Sequence, residues 1–218
     1  MKHLSCSVRS LRAAQAQSSD REPTAGRNKG KRAVAVALLF ACLSACDVIP
    51  SRDPTGERCV DVRGTTLDGS LVNIPTDLAN APTVLLIVYR REAQFDADRW
   101  RLALDQLDVR CRILLVHALP TTFGVFFAPV LRHDLAGTFG LREKPLVLPL
   151  TGTSADDLCT QTGMGNSQFA HVLVIAPNGE IVFAFEQGYA PETVERVHTV
   201  IEQHLPAEAD IPQRPISG

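Results

Sequence analysis

Apolar positions change their period along this chain, and each change marks an element. From Thr83 to Arg90 the run TVLLIVYR is apolar and rich in β-branched residues, as in a strand covered on both faces. The period then becomes helical, because Ala93, Ala97, Trp100, Leu104 and Leu107 recur at spacings of four and three. Asp96, Asp98, Arg99, Arg101 and Asp105 fall between them and are expected on the wet face of that helix. CRILLVHAL, from Cys111 to Leu119, is a second buried strand, and PLVLPL, from Pro145 to Leu150, a third. Pro149 is expected at the end of that third strand, since proline cannot donate to a ladder. A short helix, SADDLCTQ, follows with Ser154 as its N-cap and Gly163 beyond its end. FAHVLVI and EIVFAF flank Ala176-Pro177-Asn178-Gly179, where Asn-Gly suits a hairpin turn with positive φ at both positions. Pro191 opens a last helix, with Val194, Val197, Ile201 and Leu205 along one face.

Two further stretches fill the map. CVDVRGTTLDGSLVNIPT reads as two short strands around Leu67-Asp68-Gly69. Thr121 to Gly140 is apolar for a connection, with Phe123, Phe127, Leu131, Leu135 and Phe139 at intervals of four. It is read as a crossover helix or as a patch facing a partner or membrane, with Gly124 and Pro129 weakening its first half as a helix. The order of elements defines an α/β fold: a mixed central β-sheet flanked by helices, with an N-terminal β-hairpin.

Charge separates the first part of the chain from the rest. Residues 1–46 carry a net of +6 and residues 47–218 a net of −8. An acidic body makes nucleic acid an unsuitable partner, because phosphate binding needs concentrated positive charge. Arg27, Lys29, Lys31 and Arg32 precede a charge-free run of 13 residues, Ala33 to Ala45, followed by Cys46. That run is shorter than the roughly 20 residues a bilayer-spanning helix needs, and it has the form of a signal peptide. Residues 1–26, polar and rich in Ser and Arg, are read as a disordered extension or the product of a start codon set too far upstream. Residues 47–58 contain two prolines and are expected as a tether. The division is therefore residues 1–46 as extension and signal, 47–58 as tether, 59–206 as the folded domain and 207–218 as a tail.

Leu43-Ser44-Ala45-Cys46 resembles a bacterial lipobox. That resemblance implies that Cys46 is acylated, palmitate-type chains included, and becomes the N-terminus of a protein anchored at the cell envelope and facing the periplasm. Stable anchoring takes more than one chain. Asp47 is similar to the signal for retention in the inner membrane. In the oxidising compartment so implied, Cys59, Cys111 and Cys159 remain, with no CxxC among them.

The element order from Val60 to Leu205 resembles the thioredoxin-like superfamily, in the branch of the peroxiredoxins and TlpA-type membrane-anchored thioredoxins. The likeness is carried by VLLIVYRREAQFDADRW, LVLPLTGTSADDLCTQTGM and HVLVIAPNGEIV taken in that order. It implies that Ala93 and Asp96 stand at the two redox-cysteine positions and Ala170 at that of the cis-proline. A methyl group and a carboxylate cannot exchange disulfides. Tyr89-Arg90-Arg91, Trp100 and the final hairpin are also similar to the thioredoxin-like assembly factors of the mitochondrial ATP synthase, which implies a chaperone-type role.

Tyr89, Arg90, Arg91 and Trp100 are accordingly the candidate ligand or partner contacts. Two arginines at the carboxyl end of a central strand suit a carboxylate or phosphate group; a solvated turn with Glu92 neutralising one charge is the plainer reading. No catalytic residue, metal ligand or cofactor is assigned, and His117 and His171 are read as satisfied core or edge residues. The expected function is a redox-inactive, membrane-anchored lipoprotein that binds or helps assemble a protein partner. The alternatives are a thiol-disulfide oxidoreductase or peroxidase-like enzyme using Cys59, Cys111 or Cys159, and a small-ligand or metal-binding module.

Overall fold

A computed structural model describes residues 49–120 and 124–206. The signal segment, Cys46, Asp47, Phe123 and the tail 207–218 lie outside the described residues. The elements are β1 (Val62–Thr65), β2 (Leu71–Ile74), β3 (Thr83–Val88), α1 (Gln94–Gln106), β4 (Arg112–Leu119), α2 (Gly124–Thr138), β5 (Val147–Thr151), α3 (Thr153–Thr162), β6 (His171–Ile175), β7 (Ile181–Phe185) and α4 (Pro191–Gln203). Among the described residues no helix is long and apolar enough to cross a membrane.

β1 and β2 form an antiparallel hairpin, and the other strands form a five-stranded sheet in the order β5-β4-β3-β6-β7. β3, β4 and β5 run parallel through two crossover units, while β6 and β7 return antiparallel. β3 lies at the centre and is buried along its whole length, which is why its sequence is uninterrupted rather than alternating. The pleat divides its side chains between two cores. Val84, Leu86 and Val88 face α1 and α4, whereas Leu85, Ile87 and Tyr89 face the hairpin and α3. Each such aliphatic side chain withdrawn from water contributes about 1.5–3 kcal/mol.

α1 follows its sequence pattern at Ala97, Trp100 and Leu104, all buried, with Ala93 on the turn before it. Leu107 is half-exposed because the helix ends at Gln106. Asp96, expected on the wet face, is instead buried. α2 runs through Pro129, with Leu135 and Phe139 turned to the core and Phe127 and Val130 left exposed. From α2, Arg132 donates to the Thr65 and Thr66 carbonyls at 2.9 and 2.6 Å, tying the helix to the hairpin.

Three local expectations are corrected. Pro149 sits within β5 opposite His117 rather than at its end; an edge strand needs N–H groups toward one neighbour only, so proline is tolerated there. The N-cap of α3 is Gly152 rather than Ser154, whose hydroxyl accepts from the Arg63 N–H at 3.3 Å. In the β6–β7 turn only Gly179 has positive φ, and Ala176 pairs with Glu180 across a three-residue loop. That is the geometry of a type I turn followed by a left-handed glycine.

Residues 49–58, expected as a tether, are packed against the body as a strap. Ile49 accepts from the Met164 N–H at 3.1 Å. Gly56 and Glu57 pair with both sides of Ile181 at 2.8 Å, on the otherwise open edge of β7. The buried Gln161 side chain donates to the Arg58 carbonyl at 2.8 Å and accepts from the Val60 N–H at 3.0 Å. Backbone groups satisfied in this way favour a fixed segment over a free one.

Candidate functional site

The carboxyl end of β3 leads directly into the head of α1. Arg90 is extended, Arg91–Ala93 form a 3₁₀ turn, and the Ala93 N–H donates to the Arg90 carbonyl at 3.1 Å. No side chain caps this helix, although its first N–H groups lack intrahelical partners. The acidic side chain of the first turn is used elsewhere. Asp96 Oδ2 accepts from the Ala170 N–H at 3.0 Å, and its Oδ1 accepts from the Tyr189 N–H at 2.7 Å.

Ala93, Asp96 and Ala170 are thus brought together, with both alanines in the core shared by α1 and α4. One carboxylate joins the head of α1 to the segments before β6 and before α4. Charge-assisted bonds of this kind are about twice as strong as neutral ones. The arrangement fixes backbone and offers no nucleophile. Spacing hints only at its burial, since Asp96 lies three residues after Ala93 and four before Trp100, and it does not identify the partners.

Of the four candidate ligand or partner contacts, Tyr89 and Trp100 lie inside the protein. Trp100 is 0% exposed and meets Phe185 and Tyr189 edge-on at 6.0 and 5.7 Å. Tyr89 is buried in the opposite core, its hydroxyl 2.5 Å from Thr162 Oγ1 and its ring edge-on to His171 at 5.1 Å. Burial pushes the Tyr89 phenol well above its ordinary range, against the lowering effect of the Thr162 hydrogen bond. Arg90 and Arg91 are exposed. Neither belongs to an ion pair among the described residues, and Glu92 beside them is exposed as well. Phe95, one turn further on, is 78% exposed.

The remaining thiols are buried and divided between the two cores. Cys59 and Cys159 belong to the core on the hairpin side, whereas Cys111 lies in the other core, just before β4. None of the three is in a disulfide. Burial, with Asp61 nearby, pushes the Cys59 thiol up to about 12, and burial pushes Cys159 up to about 11. Such thiols hold little thiolate near neutral pH.

His117 and His171 are buried as expected, but they are not satisfied, since Nε2 of each lacks a hydrogen-bond partner. Burial pushes the His117 imidazole down to about 4. His171 is also held below its ordinary value, because desolvation outweighs the opposing charge of Glu186. Among the described residues no group of three or more His, Cys, Asp and Glu side chains is placed to hold a metal ion.

No protein-family model matches the sequence, and no curated protein matches it. Solved structures do match the fold. A thiol peroxidase from Chromobacterium violaceum is similar over 72% of this chain and 91% of its own, with TM-score 0.50 and 10% identity. Yeast Sco1 with copper bound is similar over 72% of this chain and 99% of its own, with TM-score 0.50 and 16% identity. A SCO1/SenC family lipoprotein from Bacillus anthracis is similar over 71% and 98%, with TM-score 0.50 and 11% identity. At such identities the likeness concerns architecture: this chain has a thioredoxin-like fold, with Ala93 and Asp96 at the head of its first crossover helix.

Proposed function

We propose that the protein is a redox-inactive, thioredoxin-like lipoprotein that binds or helps assemble a protein partner at the cell envelope, anchored through Cys46. The observation that carries the redox-inactive part is the Asp96 carboxylate, held by the Ala170 and Tyr189 N–H groups where the resemblance expects a thiol. The binding part rests on Arg90, Arg91 and Phe95, exposed together where β3 passes into α1. The anchoring part rests on the basic flank, the short apolar run and the Leu-Ser-Ala-Cys sequence. Among the proteins of this fold, one is a lipoprotein and another belongs to a family of cytochrome c oxidase assembly proteins, so the architecture serves such roles elsewhere.

The reading is tested on the full-length chain expressed in a Gram-negative bacterium. Membrane recovery and an acylated Cys46 peptide are expected by mass spectrometry, with Cys46→Ala moving to the soluble fraction. Cross-linking in membranes is expected to join the protein to a partner, and Arg90→Glu with Arg91→Glu to abolish that product. Disulfide reduction or peroxide turnover by the purified protein overturns the redox-inactive reading, and equal cross-linking by the charge-reversed variant overturns the binding surface.

A further inference from the structure

A cleft of about 280 Å³ opens between the strap and the β6–β7 end of the sheet. His171, the first residue of β6, and Glu186, the residue after β7, line it, and Ser51 to Pro54 of the strap form its outer wall. His171 is 2% exposed. His171 Nε2 and Glu186 Oε2 face each other at 3.5 Å, and neither has a hydrogen-bond partner. Folded proteins rarely leave two such buried atoms unmet.

The surrounding charges sharpen what is missing. Arg52, the cation on the wall, is engaged by Glu57 at 2.6 Å. Asp53 adds a second carboxylate, held by the Thr55 N–H at 3.0 Å. The Tyr89 ring lies edge-on to the same imidazole, and its hydroxyl is committed to Thr162. Desolvation favours neutral His171 near neutral pH, so the imidazole does not itself supply the positive charge. Glu186 Oε2 and, in its Nδ1–H tautomer, His171 Nε2 are then two acceptors on a cleft whose lining cation, Arg52, is already paired with Glu57. Leu173, Ala184 and Phe185 give it apolar walls suited to an aliphatic stem.

We propose that this cleft binds an alkyl cation, an ammonium or guanidinium group on an aliphatic stem, with Glu186 taking the charge and His171 Nε2 a second hydrogen bond. Ammonium has three donor hydrogens and guanidinium five, so either group can meet both atoms at once. The assignment is independent of the reading given to the head of α1.

The test follows the His171 ring resonance by NMR in the detergent-solubilised full-length protein. The probes are n-butylammonium, n-propylguanidinium, the peptides Gly-Lys-Gly and Gly-Arg-Gly with blocked termini, and n-pentanol as a neutral control. A saturable shift with a cation and none with n-pentanol is expected, and Glu186→Gln should weaken binding by about tenfold or more. Saturation by a peptide alone places the cation on a polypeptide, and saturation by a free amine or guanidine alone places it on a small molecule; both support the site. No saturable shift with any cation, equal response to n-pentanol, or undiminished binding by a folded Glu186→Gln protein overturns it. A response to zinc or copper ions alone also overturns it. Should Glu186→Gln fail to fold, the contrast between cation and alcohol in the unsubstituted protein decides.

Discussion

Replacing Asp96 with alanine leaves two backbone N–H groups, those of Ala170 and Tyr189, facing a methyl group. Each loses a charge-assisted acceptor, so Asp96→Ala is expected to cost about 2–4 kcal/mol in urea unfolding, with Asp96→Asn retaining part of it. Trp100, Ala97 and Leu104 were legible because their period alone places them in a core. The role of Asp96 was not, because its partners lie 74 and 93 residues along the chain and periodicity carries no such information. His117 gives a second prediction at this scale. Its folded value is about 4 against an ordinary 6.5, so protons bind the unfolded chain first as pH falls. The neutral-histidine contribution is complete above about pH 6.5 and is lost progressively down to about pH 4, by up to about 3 kcal/mol. His117→Leu should flatten that part of a stability–pH curve measured by denaturant titration.

Elements were read more securely than their junctions. The two buried strands, the α1 stripe from Ala97 to Leu104 and the final hairpin and helix stand where the pattern put them, whereas Leu107 and Leu205, expected on helix faces, lie past the ends of α1 and α4. The misplaced features involve proline and glycine, whose meaning depends on neighbours: Pro149 is allowed mid-strand because β5 is an edge. The strap was illegible for the same reason, since a polar, proline-containing segment looks the same whether docked or free. Its docking depends on Gly163, which has φ +75° and lies so close to the strap that a Cβ there would meet the Pro50 carbonyl and the Arg52 N–H. Gly163→Ala is therefore expected to cost about 1–3 kcal/mol and to expose the segment to limited proteolysis. Hydrogen exchange at the Met164 and Gly56 N–H groups should rise together, ahead of β3.

At the scale of the whole molecule, the mixed sheet carries two cores, one on each face, and the thiols are divided between them. Alkylation followed by mass spectrometry should find Cys59 and Cys159 modified only as fast as the protein opens, since burial withdraws the thiol and suppresses its thiolate. Rapid labelling of either in the native protein would restore the thiol-enzyme alternative. Fold class was legible because the order of elements restricts how layers can stack. What occupies the head of α1 became clear only once three distant segments met there. The docked strap has one more consequence. With Ile49 already held by Met164, a lipid on Cys46 would have only three residues of leash, roughly 10 Å at full stretch. The body would then ride flush against the headgroups, and its berth, more than its reach, would govern what it meets.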